Sequence, residues 1–184
     1  MKDTHQTKRL ILAILAVIVG LFMIMIAPFL IQTSLENVLT ELRIVSAQRP
    51  AYASGILLFS YAFPLYRGLI FIGGIVLLLL ARPIYQGEEW TFPVALLASA
   101  FPSAGGMFMF MPYVSFVDGF SIPMAVSIVG LIFFWSLILL RNVDKWVKWG
   151  QFLALTFAGM LTTHAFIVSI GNLRTLMTRP EKPM

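Results

Sequence analysis

The sequence predicts an all-α fold: a polytopic transmembrane helix bundle of about five spans, with a short amphipathic surface helix between spans 1 and 2. Three observations carry this. Hydrophobic residues make up 59% of the 184 and charged residues only 11%, where an ordinary soluble domain is about 25% charged. Mean hydropathy is +0.90. The apolar residues fall in runs of the length, about 20 residues, that carries a helix across a hydrocarbon core about 30 Å thick. A soluble domain of this size leaves roughly 30% of its chain surface in water, more than so few polar residues can cover, and lipid as the solvent removes the difficulty. The length leaves room for one membrane domain, residues 1–184.

The first span, about 10–31, follows Lys8-Arg9 and carries no charge. It is longer than a signal peptide's apolar region and shows no small-residue cleavage site, so it reads as a retained anchor. Residues 33–49 differ. Thr33-x-x-Glu36 has the form of a capping box, and Leu35, Val38, Leu39, Leu42 and Val45 follow at helical spacing. The segment reads as an amphipathic helix lying on the membrane surface, or equally as one packed on the protein's own outer surface. The apolar stretch from Ala51 to Ala81 exceeds what a bilayer needs. Pro64 makes it either one tilted, kinked helix or a short outer piece before the span proper, placed at about 57–81. The polar turn Gln86-Gly87-Glu88-Glu89 leads to a third span, 91–117. Asp118-Gly119 leads to a fourth, 122–140. The Trp-bearing connector from Arg141 to Trp149 leads to a fifth, 152–171.

Lys and Arg in short loops set orientation. An N-terminus in the cytoplasm places Lys2, Lys8, Arg9, Arg82, Arg141, Lys145 and Lys148 inside, against Arg43, Arg49, Arg174, Arg179 and Lys182 outside. Trp90, Trp146 and Trp149 then share the inner interface, and the C-terminus lies on the opposite side. The net charge of +5 is scattered over span ends, so it reads as a topology signal rather than a nucleic-acid footprint.

Few residues carry chemistry. The absence of cysteine excludes disulfides, thiolate metal sites and Cys nucleophiles. There is no phosphate-binding loop, no G-x-S-x-G, no H-E-x-x-H and no intramembrane carboxylate pair, so no enzyme is expected. Arg67 is the outstanding residue, because a charge in a span is a functional hypothesis by default. Asp118 could meet it near the outer side, or Arg67 could snorkel to the headgroups. Pro102 with Gly105-Gly106 suggests a broken helix of the kind that marks transporter sites. The rows Ala95/Ser99/Ser103 and Ala98/Pro102/Gly106 equally suggest close helix packing. Thr163 and His164 are polar groups in the last span. His164 alone would suffice as an axial ligand for haem or a chlorophyll-type pigment, but a metal site needs several such ligands, and none is expected. Ala62-Phe63-Pro64…Gly68 recurs as Ala100-Phe101-Pro102…Gly106, an echo that chance explains in so biased a composition.

Three functions are compatible with these residues. The favoured one is a non-catalytic integral membrane subunit, packed against other membrane protein subunits in a larger complex, with 33–49 as a docking element. The second is a small oligomeric transporter or channel with a path near Arg67, His164 and the Pro102/Gly105-Gly106 break. The third is a haem- or pigment-binding subunit using His164.

Overall fold

Helix α1 (Lys2–Leu21) passes through a π-helical turn (Phe22–Ile26) into α2 (Ala27–Gln48) without a break, forming one rod. The computed structural model describes the backbone of residues 2–178 and the side chains of 5–165, 168 and 169. The wide turn has a local cause. Pro28, at the start of α2, has no N–H to return to the preceding turn, and the Ala27 N–H reaches back five residues to Phe22 O.

The expected surface helix at 33–49 is therefore not a separate element. Thr33 caps nothing and lies inside the rod, and Glu36 accepts a hydrogen bond from Gln32 Nε2 at 2.8 Å. The apolar stripe is nonetheless a buried face: Leu35, Val38 and Leu42 are buried. They face the protein, in contact with α3 (Ala53–Gln86), which antiparallels the rod after a short 3-10 turn at Pro50–Tyr52. Leu42, for example, lies 3.0 Å from where a Cβ on Gly55 would stand.

Helix α3 also settles the Ala51–Ala81 stretch, being continuous through Pro64. It ends at Gly87, whose φ of 80° only glycine adopts readily. The Gly87 and Glu88 N–H groups bond to Ile84 O and Pro83 O, closing the last turn. Helix α4 (Thr91–Phe116) starts where Thr91 Oγ1 donates to Glu88 O at 2.6 Å. It is apolar on all sides and sits between α3 and α5 (Ile122–Leu139). A helix without a polar face suits a central position. Helix α6 (Lys145–Thr178) begins with the Trp146 N–H donating to Asp144 Oδ1 at 2.9 Å.

Among the described residues, four helices are long and apolar enough to cross a membrane: the rod, α3, α4 and α5. The expected fifth span, 152–171, lies on α6 and runs into residues whose side chains are outside the described set, as do those of Arg174, Arg179 and Lys182.

Glycines bring the first three elements together. A Cβ at Gly74 would stand 2.9 Å from Gly20 O, and one at Gly20 would stand 3.0 Å from Gly74 O. The α1 and α3 backbones thus meet at a pair of residues without side chains, as small-residue helix contacts do. Met23 fills the adjacent space and is fully buried. Gly74→Leu is expected to cost about 1–3 kcal/mol through overpacking, measured by denaturant unfolding in detergent. Gly68→Ala, where a Cβ meets nothing within 4 Å, is expected to cost nothing. Equal effects at the two positions would remove the glycine contact as the reason the pair associates.

Candidate functional site

Arg67 is half-buried on α3 and has a partner. Its Nη1 donates to Gln32 Oε1 at 2.7 Å, and Gln32 Nε2 donates to Glu36 Oε1 at 2.8 Å. The Gln32 amide accepts from the cation and donates to the carboxylate, so it links charges on two helices that do not touch directly. The sequence left Arg67 either meeting Asp118 or snorkelling to the headgroups; its hydrogen-bond partner is Gln32. Gln32 and Glu36 share one helix face only because the rod continues past Ile31, a continuity the polar stretch after the first span conceals. The rise along α3 from Arg67 to Gly87 is about 30 Å, the thickness of a hydrocarbon core.

Pro102, Gly105 and Gly106 do not break α4, which is continuous from Thr91 to Phe116. They pack. Pro102 supplies no N–H to Ala98 O, and that carbonyl lies against Gly73, where a Cβ would come within 3.0 Å. Gly105 receives the Tyr66 ring, at 2.6 Å from a Cβ position, and Tyr66 in turn stacks on Phe108 with centroids 5.1 Å apart. Gly106 lies against the Pro123 carbonyl and the Ser127 backbone, and Gly130 of α5 against Ser103. Ser127 Oγ donates to Ser103 O at 2.8 Å. Both small-residue rows are therefore contact surfaces. The sequence echo has no structural counterpart: Gly68 is open, whereas Gly106 is tightly covered.

Thr163 and His164 lie on α6, apart from this packing. Thr163 Oγ1 donates to its own helix at Gly159 O, 2.9 Å away, and His164 is exposed. Helix α6 meets the bundle through its first half, where Trp135 Nε1 of α5 donates to Thr156 Oγ1 at 3.2 Å. The Trp135 and Trp149 rings flank Phe152. From Phe157 to Thr162 every residue is exposed. The expected cluster of Arg67, His164 and Pro102 is thus not assembled: Arg67 is tied to the rod, Pro102 is buried, and His164 faces outward. No group of His, Asp or Glu among the described residues is arranged to hold a metal.

A second polar site lies at the opposite end of the bundle from Arg67. A cleft of about 200 Å³ opens between the start of α1, the Gly87–Glu89 turn and the end of α5, lined by Lys8, Arg9, Arg141, Glu88, Glu89 and Asn142 among others. Lys8 Nζ donates to Asn142 Oδ1 at 3.3 Å and Arg9 Nη1 to Gln86 O at 3.4 Å, both long for hydrogen bonds. The Arg9 guanidinium lies over Gly87, and Arg141 stands 4.1 Å above the Phe92 ring. Sequence reasoning had grouped these cations at one end as topology determinants; their convergence on one cleft depends on tertiary packing.

No protein-family model matches this chain, and no curated protein or solved structure matches it either.

The Arg67–Gln32 link predicts energetic coupling. Gln32→Leu and Arg67→Leu are each expected to lower unfolding free energy, and the double variant to show an interaction of about 1 kcal/mol, read from a double-mutant cycle in detergent. Strict additivity would mean the link carries no stability.

Proposed function

We propose that the chain is a non-catalytic integral membrane subunit that packs against another membrane protein through α6. The observation that carries this reading is the exposed stretch of α6 from Phe157 to Thr162. Phe157, Met160 and Leu161 are each more than half exposed. The polar His164 is exposed beside them on the same turns. A bare apolar helix is at ease in lipid, but an imidazole within a span is costly there and calls for a protein partner. The tight packing of α4 and the tie between Arg67 and Gln32 favour this reading over a conduit. His164 is exposed on α6, which gives the cofactor reading no support beyond the residue itself.

Exposed side chains support one bilayer position. On the rod, large exposed apolar residues run from Leu10 to Phe29 and are next met at Ile44. That first band is about 30 Å long, which matches one hydrocarbon core. The whole rod is about 70 Å long, so α2 beyond Gln32 extends past that band, with the start of α3 packed against it. The apolar stripe of 33–49 is already covered by α3, so docking falls to α6 instead.

Two measurements test this. The natural sequence has no cysteine, so single cysteines introduced at Asp118 and Asp144 can be labelled with a membrane-impermeant maleimide. They are expected to react from opposite sides of the membrane; reaction from one side would overturn the topology. Mild-detergent extraction is expected to bring down a membrane protein partner with the wild type, and Phe157→Arg to release it. A monomer with no companion in the wild type would overturn the subunit reading.

A further inference from the structure

We infer that the cleft at the Gly87 end is a binding site for a phospholipid headgroup that carries both a phosphate and a primary amine. The inference rests on membrane insertion as read above, and not on the subunit role.

Its volume gives the first constraint. About 200 Å³ is below the roughly 300–1,000 Å³ of pockets that enclose a whole organic ligand. It suits a headgroup whose remaining bulk lies elsewhere, in the bilayer. Position gives the second. The cleft is formed where α1, α3, α4 and α5 all reach their charged ends, beside exposed Trp90. Tryptophan concentrates at the headgroup level of membranes, and basic pockets between spans at that level take lipid headgroups.

The lining chooses among headgroups. Its cations come from helix ends: Lys8 and Arg9 from α1, and Arg141 from just beyond α5. Its carboxylates, Glu88 and Glu89, come from the turn between α3 and α4. The two signs thus enter from different elements. The cations hold their partners loosely: an amide at 3.3 Å, a backbone carbonyl at 3.4 Å and an aromatic face. A guanidinium offers five N–H donors, so Arg9 and Arg141 retain donors for a phosphate, the anion to which arginine bonds best. A purely anionic headgroup would place its charge beside two carboxylates as well. A trimethylated amine would bring a positive charge but no N–H to donate. A phosphate joined to a primary ammonium answers both halves of the lining, and phosphatidylethanolamine is the lipid class with that chemistry.

The test uses full-length protein in nanodiscs containing equal parts phosphatidylethanolamine, phosphatidylcholine and phosphatidylglycerol, with retained lipid counted by native mass spectrometry after transfer to detergent. Wild type is expected to retain phosphatidylethanolamine over either competitor by on the order of tenfold, the ratio one charge-assisted hydrogen bond provides. The Lys8→Gln/Arg141→Gln variant is expected to lose retention of all three. Glu88→Gln/Glu89→Gln is expected to shift preference to phosphatidylglycerol. All four side chains are at least partly exposed, so folding should survive, and an unchanged unfolding midpoint checks that it does. Equal retention of the three lipids by wild type, or selectivity unchanged in both variants, would overturn the assignment while leaving membrane insertion intact. Stabilisation of lipid-free protein by soluble phosphoethanolamine, to the extent the lipid achieves, would assign the cleft to a water-soluble ligand and overturn the lipid one.

Discussion

Gly20 and Gly74 allow two helix backbones to approach to a distance that any side chain would prevent, and the other packing follows from that approach. With α3 held against α1 at this level, Gly73 on the next position of α3 meets the Ala98 carbonyl of α4. That carbonyl has no intrahelical donor because Pro102 occupies the position four residues on. The same helix, α4, then presents Gly106 and Ser103 to α5. The order α1, α3, α4, α5 is thus a series of contacts through small residues. Such contacts matter because association between apolar helices in lipid gains little from hydrophobic burial and depends on close fit and a few hydrogen bonds.

The helices were legible in the sequence because their signal is local. Runs of apolar residues bounded by Lys8-Arg9, Gly87-Glu88-Glu89, Asp118-Gly119 and Arg141 mark α1, α3, α4 and α5 directly. What the sequence concealed was continuity. Thr33 and Glu36 have the spacing of a helix start, and a polar stretch after a full span invites a break. The rod continues because Leu35, Val38 and Leu42 find cover on α3, and tertiary cover outweighs a local start signal. The Arg67 partner is hidden by that apparent break, since Gln32 falls between a span ending at Ile31 and a segment starting at Thr33. Pro102 and the glycine pair illustrate the reverse case. Both a broken and a packed helix were compatible with the residues, and only the neighbours Tyr66, Gly73 and Ser127 decide between them.

The polar residues divide between the two ends of the bundle in different ways. At the Arg67 end, charges on the rod and α3 are joined by a glutamine into one connected link. At the Gly87 end, cations and carboxylates surround an open cleft, where Lys8 and Arg9 hold their partners at long distance and Glu88 accepts from Trp90 Nε1. The first arrangement ties helices together. The second leaves guanidinium donors of Arg9 and Arg141 to spare, as a surface that meets something else would.

The π-helical turn at Phe22–Ile26 has a consequence for the phase of the rod. The buried positions Met23, Ala27, Ile31 and Leu35 follow one another at steps of four. In an unbroken α-helix each such step overshoots a full turn by about 40°, and three in succession would carry Leu35 a third of the way round. The wide turn lags where the α-helix leads and takes up most of that excess. It works as a phase corrector, letting one continuous rod present two stripes of different period to the same neighbour. Removing a single residue within it would let the turn close to an ordinary α-turn and leave α2 near its present phase; removing one between Ala27 and Leu35 would instead turn everything beyond by about 100°, and Leu35, Val38 and Leu42 would face away from α3.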